Sequence, residues 1–164
     1  MYTRHAVVAT SEMGTLTLVA CDAALAGVYF PLHWTNPDWA SFGAEVDAET
    51  DPVLSQASSQ LQEYLRGERE TFDLATAARG SGFEEKVWGL LRELDFGETT
   101  TYGELAESLG DRALARKVGQ AVGRNPLSII VGCHRVVGKS GELRGYAGGL
   151  ARKQFLLDLE STAA

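Results

Sequence analysis

Residues 127–149 constrain this chain more than any other stretch. Apolar Leu127, Ile129, Ile130 and Val131 run into Gly132-Cys133-His134-Arg135-Val136, and Gly138, Gly141, Gly145, Gly148 and Gly149 follow. An apolar run that ends in reactive groups and then glycines reads as a strand over 127–131 delivering a nucleophile to a loop. The rest of the chain must supply a scaffold for that loop and a reason for the thiol.

The scaffold is modest. At 164 residues the chain can bury one good core, or two small ones that share an interface. No apolar run approaches the roughly 20 residues of a membrane span, and the N-terminus lacks the apolar centre of a secretion signal. Cys21 and Cys133 are far apart and unlike in context, so free thiols and a cytoplasmic or nucleoid-associated setting are expected. Cys21, His5, His33 and His134 show no paired ligand spacing, and no metal site is expected.

The net charge of −7 speaks against nucleic acid until it is divided. Residues 1–78 carry three arginines against eleven acids, a balance of −8, whereas residues 79–164 balance at +1. Residues 112–153 hold nine bases, Arg112, Arg116, Lys117, Arg124, Arg135, Lys139, Arg144, Arg152 and Lys153, against Glu142 alone. A local balance of +8 can hold an anion whatever the total, although a solvated basic surface is the plainer reading of that window by itself.

Residues 4–10, 15–20 and 25–30 are short Val-, Leu-, Thr- and aromatic-rich runs parted by turn residues, which predicts a small antiparallel meander. Residues 31–52 read as an irregular acidic loop. Leu54, Ala57, Leu61, Tyr64 and Leu65 then share a helix face that stops at Gly67, and Thr71–Leu74 are a candidate return to the sheet. This half offers no chemistry to name. Small, polar residues 75–82 mark a boundary, giving domains 1–78 and 79–164.

Beyond it, Ser81 and Glu84 have capping-box spacing, and Phe83, Val87, Leu90, Leu91 and Leu94 predict an amphipathic helix. Residues 101–109 and 112–122 predict two further helices, with Asp111 as N-cap of the second and Gly123 and Asn125-Pro126 closing it. Helix, glycine turn and basic second helix is a helix-turn-helix pattern, unspecific alone. A tight turn is expected at 139–142, a flexible loop at 145–149 and a last helix at 150–160.

A lone cysteine is more often a small buried residue than a nucleophile. Arg135 and the positive window shift that balance by favouring thiolate at Cys133. Adjacent side chains in an extended segment point to opposite faces, so a direct Cys133–His134 ion pair is disfavoured. A water bridge is easier to build, with the imidazole held by a carboxylate. Glu160 is the candidate, because it shares a helical stripe with Lys153, Leu156 and Leu157, although exposed helix-end acids are the base rate. Arg116, Tyr102 and Tyr146 taken singly are ordinary surface or half-buried groups.

Together, Phe83…Val87-Trp88, Gly97-Glu98-Thr99…Tyr102, Arg116…Val118-Gly119, Asn125-Pro126, Cys133-His134-Arg135-Val136-Val137, Gly145-Tyr146-Ala147-Gly148-Gly149 and Leu156-Leu157…Glu160 resemble the O6-alkylguanine-DNA alkyltransferase family, the methylated-DNA–protein-cysteine methyltransferases. The likeness is close over roughly 80–164 and looser before. It implies an α/β, two-domain fold: a small N-terminal β-sheet and helix domain, and a mainly helical C-terminal domain with a helix-turn-helix. It implies single-turnover transfer of an alkyl group from guanine O6 to Cys133, from a nucleotide flipped out of double-stranded DNA bound through its minor groove. His134, a water and Glu160 would deprotonate Cys133. Tyr102 would hydrogen-bond the leaving base, and Asn125 would brace the segment. Arg116 would fill the gap in the duplex, with Lys117, Arg112 and Arg135 also at the DNA. Tyr102, Val136, Tyr146, Ala147, Gly148 and Lys153 would line the base pocket. No cofactor is expected, and a monomer is, with cooperative binding on DNA left open.

Three positions depart from the family pattern: Gly132 where proline is usual, and Leu114 and Lys117 where the recognition helix is usually lined with small residues. Gly132 is expected to loosen the loop. Cys21 has no neighbouring cysteine, so the zinc site of some relatives is not expected. The rival readings are a non-enzymatic lesion binder, a helix-turn-helix regulator and a Cys-His hydrolase.

Overall fold

The computed structural model describes residues 1–33 and 35–161. The meander forms as strands β1 (Thr3–Thr10), β2 (Gly14–Cys21) and β3 (Ala24–Tyr29). β2 is central and antiparallel to both neighbours, and β1 carries a short parallel strand β4 (Ala44–Glu45) on its other side. Residues 31–52 are therefore not wholly irregular. Besides β4 they hold 3-10 turns at Trp39–Phe42 and Ala48–Thr50.

Asp51 caps helix α1 (Pro52–Leu65) by accepting from the Val53 and Leu54 amides, while Pro52 occupies the first turn, where no donor is needed. Asp51 also takes two hydrogen bonds from the buried Arg4 guanidinium, which ties α1 to β1. The apolar face of α1 packs on the sheet through Leu54, Ala57, Leu61 and Leu65. Each such leucine contributes about 1.5–3 kcal/mol on burial. Residues 71–74 do not rejoin the sheet. The return is a single parallel bridge one step later, Thr76 to Leu25, because the Gln60 side chain engages both backbone groups of Asp73 and holds that segment against α1.

The second half opens with helix α2 (Gly82–Arg92), whose capping box between Ser81 and Glu84 is fully formed. β5 (Thr100–Thr101) leads into α3 (Tyr102–Ser108), capped by Thr101. A 3-10 turn at Arg112–Leu114, capped by Asp111, precedes α4 (Ala115–Gly123). The expected single helix over 112–122 is thus a 3-10 turn followed by an α-helix. β6 (Val136–Val137) pairs in parallel with β5, and α5 (Leu150–Ser161) closes the chain.

The strand expected over 127–131 is absent. The Asn125 side chain accepts from the Leu127 amide and donates to the Leu127 and Val131 carbonyls, and Val131 N donates back to Leu127. That network folds the apolar run into a tight buried turn and puts Ile129 at φ +73°, an unusual backbone for a β-branched residue. Burial, which the apolar residues demanded, is achieved by a turn.

The two halves share one continuous core. Val28 of β3 donates to Pro126 and bridges Leu127, Phe30 packs on Tyr146 with ring centroids 5.5 Å apart, and Arg152 donates to the Met13 carbonyl. The sheet domain therefore forms part of the platform beneath the Cys133 turn.

Candidate active site

Cys133, His134 and Arg135 form one turn of 3-10 helix, held by the Arg135 amide donating to Gly132. The segment is not extended, so neighbouring side chains need not point to opposite faces. Successive side chains in such a turn diverge by about 120°. The hydrogen bond of His134 is to Glu160, whose Oε2 lies 2.7 Å from Nε2, both groups buried.

Glu160 is the hub. Oε1 accepts from Arg135 Nε and the Gly97 amide, and Oε2 accepts from Arg135 Nη2, His134 and the Tyr64 hydroxyl. Burial alone would push its carboxyl up, but the donors His134 and Arg135 outweigh burial and hold it well below the usual carboxylate range. An ionised Glu160 makes Nε2 of His134 the protonated nitrogen. Nδ1 is then the free lone pair, and it has no hydrogen-bond partner among the described residues. Burial keeps His134 neutral against the pull of Glu160. A neutral imidazole with an open Nδ1 is a base.

Cys133 lies at the floor of a cleft of about 520 Å³, 4% exposed. Burial pushes its thiol up, and the Asn125 amide and Lys153 ammonium only partly offset that. Arg135, expected to favour thiolate, is engaged elsewhere. Its guanidinium is spent on Glu160 and on the Leu94 carbonyl and is not among the leading influences on the sulfur. The same contacts bury Arg135, so it is not a DNA-facing group either. The cation that acts on the sulfur is Lys153, fully buried, with Nζ near the Arg144 and Gly145 carbonyls and its pKa lowered to about 8 by burial.

Tyr102, at the start of α3, and Tyr146, from the glycine loop, line the cleft with Asn125 and Ala147. Both phenols are pushed up by burial and by the neighbouring sulfur, so they stay protonated donors. Three expected pocket residues are elsewhere. Val136 is buried in β6, Gly148 packs its backbone on Phe30, and Lys153 lies behind the 144–145 carbonyls. Arg112 and Arg116 stand on the cleft wall, exposed. Lys117 does not join them, because its ammonium lies 4.2 Å from the Phe83 ring centre. Arg144, which the sequence reading did not single out, lines the cleft. Tyr64 was also missed, because a tyrosine on an apolar helix face carries no mark of where its hydroxyl ends. Among the described residues no group of three or more His, Cys, Asp or Glu is placed to hold a metal, and no helix is long and apolar enough to cross a membrane.

Residues 5–78 match the ribonuclease-like domain of 6-O-methylguanine DNA methyltransferase, and residues 82–162 match its DNA-binding domain. The chain belongs to the 6-O-methylguanine DNA methyltransferase family. It is 41% identical over 162 residues to a Mycobacterium tuberculosis protein named methylated-DNA–protein-cysteine methyltransferase, covering 94% of this chain and 90% of that one. It is 43% identical over 124 residues to the constitutive Bacillus subtilis protein of that name, covering 75% of each. The structure of Mycobacterium tuberculosis OGT in complex with DNA superposes with a TM-score of 0.85 at 37% identity, covering 98% of this chain and 94% of that one. The two-domain fold is thus that of the family, with an N-terminal sheet domain and a helical C-terminal domain.

Proposed function

We propose that this chain repairs O6-alkylguanine in double-stranded DNA by moving the alkyl group onto Cys133, once per molecule. The observation that carries this reading is the pairing of a buried thiol at a cleft floor with a neutral histidine whose partner carboxylate is locked by five donors. The family is one of direct-reversal repair methyltransferases, and a lesion-binding relative would not require a nucleophile so arranged.

The Cys133 proton passes through a water to His134 Nδ1, and Glu160 stabilises the imidazolium that forms. The thiolate attacks the alkyl carbon, a C–S bond forms and the C–O6 bond breaks. The electron pair leaves with guanine, whose developing charge the Tyr102 hydroxyl meets with a hydrogen bond. The guanine anion takes up one proton, and the imidazolium gives one up, through solvent; the products are a thioether at Cys133 and unmodified guanine. A thioether has no leaving group that His134 could help expel, so the molecule acts once.

A base buried in a duplex cannot reach a cleft floor, so the damaged nucleotide flips out. Arg116, on the wall beside the cleft, fills the space it leaves from the minor-groove side. The Asn125 amide, which holds the turn and lies by the sulfur, keeps the nucleophile aimed. One chain carries each of these residues, so a monomer suffices, and the reaction belongs in the compartment that holds the DNA. The test is to incubate the protein with excess duplex containing O6-methylguanine and analyse the DNA. One guanine restored per protein molecule, and none with Cys133→Ser, is expected. Multiple turnovers, or repair by the serine variant, would overturn the reading.

A further inference from the structure

The Tyr64 side chain comes from α1 in the N-terminal domain, yet its hydroxyl ends on Glu160, ninety-six residues away in sequence. Its ring packs against Phe72 and Phe96, at centroid distances of 5.3 and 6.1 Å, and the residue is fully buried. Phenylalanine would fill that apolar space equally well. A buried hydroxyl is costly unless bonded, and its bond here is to Glu160. It meets Oε2, the oxygen that also pairs with His134, whereas Gly97 is bonded to Oε1.

We propose that Tyr64 is a positioning residue for alkyl transfer: it shares the Glu160 oxygen that holds His134, and so sets how readily His134 accepts the Cys133 proton. This rests on the reaction assigned above. Its hydroxyl stays protonated, since burial and Glu160 both push its acidity far away from neutral pH. A donor on Oε2 takes up part of the negative charge that would stabilise imidazolium, leaving His134 neutral before the reaction. The groups facing the His134–Glu160 pair are Arg135, Lys153, Tyr146, the Gly97 amide and Tyr64. Of these, Tyr64 can lose its polar atom without a charge changing or the cleft altering.

The experiment uses the full chain with Cys21→Ala, so that Cys133 is the sole thiol. The rate of Cys133 modification by iodoacetamide is followed against pH by intact mass. With Tyr64→Phe, Glu160 pulls harder on His134 and the thiolate forms more easily. The midpoint of the profile is expected to fall by about one pH unit, a roughly tenfold faster rate below it. Phe72→Leu disturbs the same ring packing without touching Glu160, and should lower stability while leaving the midpoint at the parent value. A Tyr64→Phe midpoint equal to the parent's, or an equal shift in Phe72→Leu, overturns the proposal. Should Tyr64→Phe fail to fold, proton NMR of the parent chain decides instead. A slowly exchanging Tyr64 hydroxyl proton is expected, and exchange as fast as that of an exposed tyrosine overturns the proposal. A parent that reacts with iodoacetamide but takes no methyl from DNA refutes the assigned reaction and leaves this comparison standing.

Discussion

Glu160 shows how one side chain can hold both the stability and the chemistry of a site. Replacing it with glutamine leaves Arg135 buried without its counter-charge and His134 without its anchor. Glu160→Gln is expected to cost about 3–5 kcal/mol in urea unfolding, and to slow Cys133 alkylation. The pH signature follows from the depressed folded pKa. A carboxyl held below its unfolded value contributes stability above about pH 4–5, and loses it as pH falls through the folded value. The gap in stability between the parent and Glu160→Gln should therefore shrink on acidification below about pH 5; a gap that widens there would contradict the assignment. At this scale the sequence was partly legible. Glu160 lay on a stripe shared with apolar residues, and that stripe does face inward. Arg135 was misjudged because a charge count cannot tell a solvated guanidinium from one consumed by a buried carboxylate.

The elements explain the nucleophile's geometry. Asn125 folds 127–131 into a turn, and Cys133–Arg135 make the 3-10 turn that carries the thiol. Gly132 joins the two at φ −71° and ψ 54°, a φ that proline could also adopt. Its value is space rather than freedom, since an added Cβ would lie 2.9 Å from Arg135 Cδ, on a side chain whose head is fixed to Glu160. Gly132→Ala, which adds only that carbon, should destabilise the protein by about 1–3 kcal/mol in denaturant melts; unchanged stability would show that Arg135 yields freely. The helices were legible because caps and apolar periodicity are local, whereas 127–131 was misread as a strand because its fold is dictated by one asparagine side chain. On α4, Arg116→Ala should weaken duplex binding and flatten its salt dependence, with a slope smaller by about one. Lys117→Ala should do less, because its ammonium is engaged by Phe83. Fluorescence anisotropy across a salt series separates the two, and a larger loss for Lys117→Ala would contradict this arrangement.

Across the whole molecule, the acidic sheet domain and the basic helical domain are joined by one core and by contacts that lead to the nucleophile. The sequence shows a charge asymmetry, −8 over residues 1–78 and +1 over residues 79–164. It could not show the joining, since pairs such as Phe30–Tyr146 and Tyr64–Glu160 are more than ninety residues apart and follow no local pattern. Phe30, fully buried beneath Tyr146 and Gly148, is expected to matter to both halves. Phe30→Ala should cost about 3–5 kcal/mol, with both halves unfolding in a single calorimetric transition; two separated transitions would contradict a shared core. The central claim, that the turn carries a nucleophile for alkylated guanine, is tested most directly by mass spectrometry with peptide mapping. After incubation with duplex DNA containing O6-methylguanine, a gain of one methyl group on Cys133 is expected. No gain, or a methyl on any other residue, would contradict the account.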